Sequence, residues 1–311
     1  MKTDVFVYIV NYNQPEMTID CTKSILNSNY KDFHLTIIDN GSTEENYKIL
    51  NKIQSEKVTI LRSEVNLGYA KGVNLGLKSI RDIIPEYILI MNNDTNIDKD
   101  SIKNLVLCCQ RHNNKAIVSG KVYHYNNPNK IQYIGSNFSN KILLKEVYPG
   151  KDEEDRGQFE IEKERDMLDD IFWLLPYNIL FDVGYYCEYF FMYSEQADFA
   201  LRAKRKGYKL IYTPTARIWH IGSLSSGQGE RFSLPVCYWR SKSSLIYLYR
   251  NLNFLVFIYI LGKNLTKFVF KSIFSKVEQR NKNFSFLRGY CSGILWLIFR
   301  NKITNYNPYI R

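Results

Sequence analysis

Among the six cysteines, at 21, 108, 109, 187, 237 and 291, there is no CxxC pair and no metal-ligand spacing. That removes zinc-ribbon and disulfide-framework architectures and leaves reduced thiols as the expectation. No Gly-rich phosphate loop of the GxxxxGK[ST] or GxGxxG kind is present, so a diphosphate would have to be held by other means. Met1-Lys2-Thr3-Asp4 passes straight into a strand-like run without the pattern of a signal peptide, and a cytosolic protein is expected. Acids are almost missing from the end of the chain. From Val236 to Arg311 stand 13 Lys or Arg against one acid, Glu278, while the rest carries 29 basic and 30 acidic residues. The apolar runs of this tail, 254–261, 268–270 and 294–299, fall short of the ~18–20 residues a spanning helix needs. Lys263, Lys267, Lys271 and Lys276 interrupt them at near-helical spacing. The tail is expected to lie on an anionic membrane surface, peripheral at the inner face of the plasma membrane, with a helical subdomain packed on the main body as the competing reading. No recognised nucleic-acid motif accompanies the charge, so no nucleic-acid partner is expected.

What is present is enough for a large core: 311 residues, 45% hydrophobic and 15% aromatic. Strand-like runs 5–10, 35–38, 58–61 and 87–91 alternate with helical patterns, predicting an α/β fold with a parallel sheet. The stretch Tyr87 to Thr95 organises it, because an uninterrupted apolar run reads as a strand buried on both faces and it stops at Asn92-Asn93-Asp94. In parallel sheets the strand carboxyl ends share one edge, where ligands bind. A polar cluster follows each strand there: Asn11 and Asn13, Asp39 and Asn40, Asn66 and Gly68, then Asn92 to Asp94. One such cluster is ordinary loop polarity; four on one edge suggest a ligand read through base and ribose, its diphosphate held by a metal ion. A sugar nucleotidyltransferase would want a Gly-rich basic loop after the first strand, and Asn11-Tyr12-Asn13-Gln14-Pro15 is not one.

Val10-Asn11-Tyr12-Asn13, Ile38-Asp39-Asn40-Gly41-Ser42, Asn66 to Asn74 and Asn92-Asn93-Asp94-Thr95 closely resemble the family 2 glycosyltransferases, especially their bacterial rhamnosyltransferase-like branch. The resemblance runs from about residue 4 to residue 250. It implies a GT-A fold, a nucleotide-sugar donor (dTDP-rhamnose or a UDP-sugar), Mg²⁺ or Mn²⁺, and transfer with inversion. By that likeness Asp39 would bond the nucleobase. Asn11, Asn13, Asn66, Gly68, Lys71, Asn92 and Asn93 would border the donor, and Asp94 and His220 would hold the metal or diphosphate. Asn92 stands where many members have an acid, so weaker metal binding is expected.

The second half supplies the acceptor side. In Phe190 to Lys204, helical spacing sets Glu195 and Asp198 at i and i+3 near a helix start. Helix capping explains two acids there; so does catalysis, since inverting transfer needs a carboxylate to take the acceptor proton. The segment resembles the family's EDxD or EExD motif, with Gln196 where the second acid is usual, and an amide cannot act as a base. Upstream, Asp169-Asp170-Ile171-Phe172-Trp173 replaces the family's small pair, so Asp170 and Trp173 are expected to narrow the pocket wall, with Asp170 offsetting Gln196. Asp155-Arg156-Gly157-Gln158 reads as a solvated loop or an acceptor-side loop. Gly222, Ser223, Ser225, Ser226 and Gly227 read as a loop that closes over donor, and Tyr238 to Ser243 and Leu287 to Gly293 resemble tail segments of the family. The expected organisation is a GT-A catalytic domain over 1–235 and a basic amphipathic helical tail over 236–311. The expected function is sugar transfer, rhamnose favoured, to a lipid-linked saccharide of a bacterial surface polysaccharide. Gln196 and Asn92 also suit a noncatalytic nucleotide-sugar-binding partner in a glycan assembly complex.

Overall fold

The computed structural model describes residues 4–80, 84–222 and 233–299; Ser223, Ser225, Ser226 and Gly227 of the expected closing loop, and the tail beyond 299, lie outside them. The first half alternates β1 (Val5–Asn11), α1 (Pro15–Leu26), β2 (Phe33–Asn40), α2 (Glu44–Leu50), β3 (Val58–Ser63), α3 (Tyr69–Leu77) and β4 (Tyr87–Met91). β4 is buried along its whole length, as an uninterrupted apolar run requires. β3, β2, β1 and β4 lie side by side and parallel, so their carboxyl ends share an edge. On α1 the buried residues are Pro15, Thr18, Cys21, Thr22 and Ile25, and the Thr18 hydroxyl among them donates to Asn11 Oδ1 at 2.9 Å.

The second half does not continue the parallel pattern. Chain order runs β5 (Thr95–Ile97), α4 (Ser101–Arg111), β6 (Ala116–His124), β7 (Asn127–Tyr133), β8 (Asn137–Asn140), β9 (Lys145–Val147), β10 (Lys163–Glu164), β11 (Phe172–Pro176), α5 (Tyr177–Val183), α6 (Glu195–Arg205) and β12 (Lys209–His220). β11 enters antiparallel between β4 and β6, and β12 adds parallel to β6. The sheet is therefore mixed with a mostly parallel body, and apolar layers pack on both faces. The short β5 pairs antiparallel with the end of β12, setting Thr95 opposite His220.

Three helices complete the described chain: α7 (Leu234–Asn251), α8 (Phe254–Phe274) and α9 (Val277–Phe299). α7 buries Val236, Cys237, Trp239, Leu245 and Ile246. α9 crosses it closely at Gly289, where an added Cβ would stand 2.1 Å from the Tyr238 carbonyl oxygen. Leu245, Phe257 and Tyr290 form the apolar centre of the three-helix group. α8 is otherwise largely exposed, with Phe254, Leu255, Tyr259, Phe270, Ile273 and Phe274 uncovered among its lysines. Among the described residues no helix is long and apolar enough to cross a membrane, and all six cysteines are free.

Candidate active site

The turn after β4 carries the central carboxylate. Asp94 is buried; its Oδ2 accepts the Gly222 amide at 3.2 Å, and its Oδ1 has no hydrogen-bond donor. His220 Nε2 lies 3.1 Å from that oxygen, delivered by the pairing of β5 with β12. On the other side of the ring, Nδ1 meets Gln132 Oε1 at 2.6 Å. An amide oxygen can only accept, so Nδ1 donates to Gln132, which leaves Nε2 as the nitrogen that faces Asp94. Burial pushes the Asp94 carboxyl up, but the neighbouring His220 and backbone amides prevail and hold it below the usual range. A carboxylate oxygen and an imidazole nitrogen converging at this distance fit a divalent cation, and Gln132 orients the ring from its other side. Asn92 Nδ2 also reaches His220 Nε2, at 3.2 Å.

The residues expected around the donor divide into two groups. Asn11 turns inward: its Nδ2 donates to Asp39 Oδ1 (2.8 Å) and Ser42 Oγ (3.1 Å), and its Oδ1 accepts from Thr18 and from the Gln14 amide. Asn13 accepts from the Thr43 amide and Asn46 Nδ2, joining β1 to α2. Asn93 donates to Thr18 Oγ1. These three brace the edge from within. Asp39 is left with Oδ2 unbonded although the residue is fully buried, with Arg62 Nε 3.7 Å away. Asn66 Oδ1 caps the Gly68 amide at 2.9 Å, and Asn40 ties the same turn from β2. Gly68 sits at φ +82 with Phe191 O only 2.4 Å from where a Cβ would be, so a side chain is excluded there. Lys71 stands half-buried in the first turn of α3.

The second carboxylate group lies around the start of α6. Tyr193 and Ser194 adopt φ +71 and +68, two successive left-handed residues that turn the chain sharply into the helix. Glu195 follows, 4% exposed, with Oε2 unbonded. Burial pushes its carboxyl up to about 8, opposed by backbone hydrogen bonds and assisted by the charge of Asp169. Gln196 donates to Asp169 Oδ2 at 3.4 Å. Asp170 Oδ2 accepts from Tyr186 at 2.8 Å, and burial with the charges of Asp169 and Glu195 pushes its carboxyl far up. Like charges this close and this buried cannot all ionise. Tyr69 Oη and Trp173 Nε1 stand unbonded nearby, against the same acids and rings. Asp169 connects the two halves of the site, feeling the charge of His220 and bearing on Glu195.

Asp198 stands apart. Its oxygens take Arg250 Nε (2.7 Å), Arg202 Nε (3.0 Å), Arg250 Nη2 (3.3 Å) and Asn251 Nδ2 (3.2 Å). Burial opposes ionisation, but the two guanidiniums prevail and keep the carboxyl low. A carboxylate so saturated joins α6 to α7. In the loop 151–166, Asp155 accepts from the buried Lys121 at 2.7 Å and from the Tyr123 hydroxyl, which pins that loop to β6.

Gln132, Arg62, Tyr186 and the Arg250–Asn251 pair were not singled out by sequence, and Gly222 and Tyr69 were named only within longer segments. No local signal marks Arg62: it stands one residue before the end of β3, and the β2–β3 register sets it opposite Asp39. The others arrive from distant elements and carry none.

The profile of glycosyl transferase family 2 matches residues 6–184. The low-salt glycan biosynthesis hexosyltransferase Agl10 of Haloferax volcanii is 26% identical over 209 residues, 66% of this chain and 63% of that protein. The glycosyltransferase GlyG of Streptococcus pneumoniae is 25% identical over 127 residues, 40% of this chain and 41% of that protein. The chain thus spans less than two thirds of the length of these curated relatives. Among solved structures, that of GalNAc-T7 with UDP, GalNAc and Mn²⁺ superposes with a TM-score of 0.60 at 13% identity, over 86% of this chain and 58% of that one. The fold is GT-A.

Proposed function

Because the chain belongs to glycosyl transferase family 2, we propose that it catalyses metal-dependent, inverting transfer of a sugar from a nucleotide-sugar donor to a saccharide hydroxyl. Two buried, unbonded carboxylate oxygens, Asp94 Oδ1 and Glu195 Oε2, carry this reading. One suits a cation beside His220 and the other suits a proton. Glu195 removes the acceptor proton as that oxygen attacks the anomeric carbon, and the bond from that carbon to the diphosphate breaks. A divalent ion, when bound, offsets the charge that builds on the departing diphosphate. Asp39, held by Asn11, offers Oδ2 to the nucleobase, and Asn66, Lys71 and Asn92 border the donor. Asp198 positions α6. Asp170, kept protonated by burial and by the charges of Asp169 and Glu195, forms the pocket wall with Trp173, while Asp169 is the carboxyl that meets Gln196.

Rhamnose, carried as dTDP-rhamnose, is the favoured sugar on branch resemblance, with a UDP-sugar as the other donor class. The proposed acceptor is a lipid-linked saccharide of a surface polysaccharide. Incubating the protein with a panel of nucleotide sugars, with and without Mn²⁺ or Mg²⁺, is expected to reveal one donor whose hydrolysis or transfer requires the metal. Donor binding without turnover under any metal would favour the noncatalytic reading, and no binding of any donor would sink the proposal.

The uncovered apolar residues of α8, set among Lys263, Lys267 and Lys271 with Lys276 just beyond, support docking of the helix on an anionic membrane. Near such a surface each lysine contributes about 1 kcal/mol. Changing all four lysines to Glu is therefore expected to weaken co-sedimentation with phosphatidylglycerol vesicles by at least ~100-fold, with transfer to a short soluble acceptor unchanged. Equal binding of the variant would refute the docking.

A further inference from the structure

Lys242 is the least accounted-for charge in the described structure. It lies on α7, is only 2% exposed, and its ammonium meets no carboxylate or hydrogen-bond acceptor among the described residues. Burying an ammonium without a partner costs several kcal/mol, so such a group is rarely retained for packing, where Met or Leu would serve. The side chain folds back along its own helix, placing Nζ 5.0 Å from the Trp239 ring centre and 6.0 Å from that of Tyr238. Those ring faces compensate the charge in part and leave its hydrogen-bond donors open.

The surroundings connect this ammonium to the transfer site. Trp239 stacks on Phe191 with ring centres 4.3 Å apart. The Phe191 carbonyl takes the Tyr69 amide at the start of α3, beside Gly68. The next residue of α7, Ser243, donates to the Met192 carbonyl at 2.7 Å. Residues 191–194 lead directly into Glu195. α7 is thus held, through residues on either side of Lys242, against the segment that connects the donor-side turn to the proposed base. Burial, with no charged partner to oppose it, draws its pKa down to about 8. An arriving anion would restore the full charge and gain an ion pair.

We propose that Lys242 binds a phosphate group of a substrate beside the aromatic cluster of Phe191, Tyr238 and Trp239. This rests on the transfer reading above, in which phosphate arrives from two sources: the diphosphate of the donor and the phosphate of a lipid-linked acceptor. The source is separated by the ligand used. Binding of UDP and dTDP with Mn²⁺, of inorganic pyrophosphate, and of farnesyl phosphate in micelles is measured by calorimetry on wild type, Lys242→Met and Lys242→Arg. Loss of an ion-paired phosphate contact is expected to weaken the relevant ligand by about 10- to 100-fold in Lys242→Met, with much of it restored in Lys242→Arg. Weakened nucleotide or pyrophosphate binding assigns the donor; weakened farnesyl phosphate binding alone assigns the acceptor. Lys242→Met is also expected to melt at a higher temperature, because it removes an uncompensated buried charge, so a binding defect would not reflect misfolding. Equal affinities of wild type and Lys242→Met for all four ligands overturn the proposal, as does a wild type that binds none of them. The transfer reading fails separately, through a donor panel in which nothing binds.

Discussion

Replacing Asp94 by Ala is expected to abolish metal-dependent transfer and leave the fold intact. The side chain is at the end of a turn, where truncation removes one accepted bond from the Gly222 amide and disturbs none of the β4 pairing. What disappears is the sole carboxylate of the Asn92-Asn93-Asp94 turn, the one whose Oδ1 faces His220 Nε2 at 3.1 Å. An imidazole alone holds a hard divalent ion poorly, and the leaving diphosphate then departs without its counter-charge. A loss of at least about 10²–10³ in turnover is the scale for removing one preorganised electrostatic contact. Mn²⁺ titration of donor transfer, with circular dichroism and thermal melting as controls for folding, checks it. Retention of full activity at the same Mn²⁺ concentration would refute the assignment.

Changing Glu195 to Gln is expected to reduce turnover by about 10²–10⁴, the usual contribution of a general base, while raising thermal stability. The two effects share a cause. The buried carboxyl keeps its proton up to about 8, whereas an unfolded glutamate releases it near its ordinary value of 4.5. The folded state therefore binds the proton more tightly, and stability falls as pH rises through that window. Gln has no proton to lose, so the variant melts above wild type at pH 8 and converges with it near pH 4. The wild-type kcat/KM for transfer should climb with pH through about 8 as the base ionises, and the variant's residual rate should not. A variant with unaltered turnover, or a wild-type rate flat from pH 6 to 9, would exclude Glu195 as the base.

Some of this site could be read before any folding was known. β4 and its polar stop were evident because an unbroken apolar run has one physical solution, a strand covered on both faces. Glu195 and Asp198 were correctly set three apart at the start of a helix, yet spacing could not distinguish their roles. α7 brings Arg250 and Asn251 onto Asp198 and gives Glu195 no charged partner, so one carboxyl is saturated and the other is left with an open oxygen. Asn11 is similar: its place after β1 was legible, its inward turn onto Asp39 and Thr18 was not.

By itself the sequence determined the alternation of strands and helices, the parallel first half with its polar edge, the resemblance to family 2, and the concentration of positive charge in the tail. These are local properties, carried by periodicity and by residues adjacent in the chain. Only the tertiary structure decided which groups are partnered. The antiparallel entry of β11, the clasp of β5 on β12 that sets His220 against Asp94, the support of Gln132 from β7, and the open oxygen of Glu195 all depend on contacts between distant segments. Ionisation and reactivity follow from burial and neighbours, and neighbours are fixed by topology.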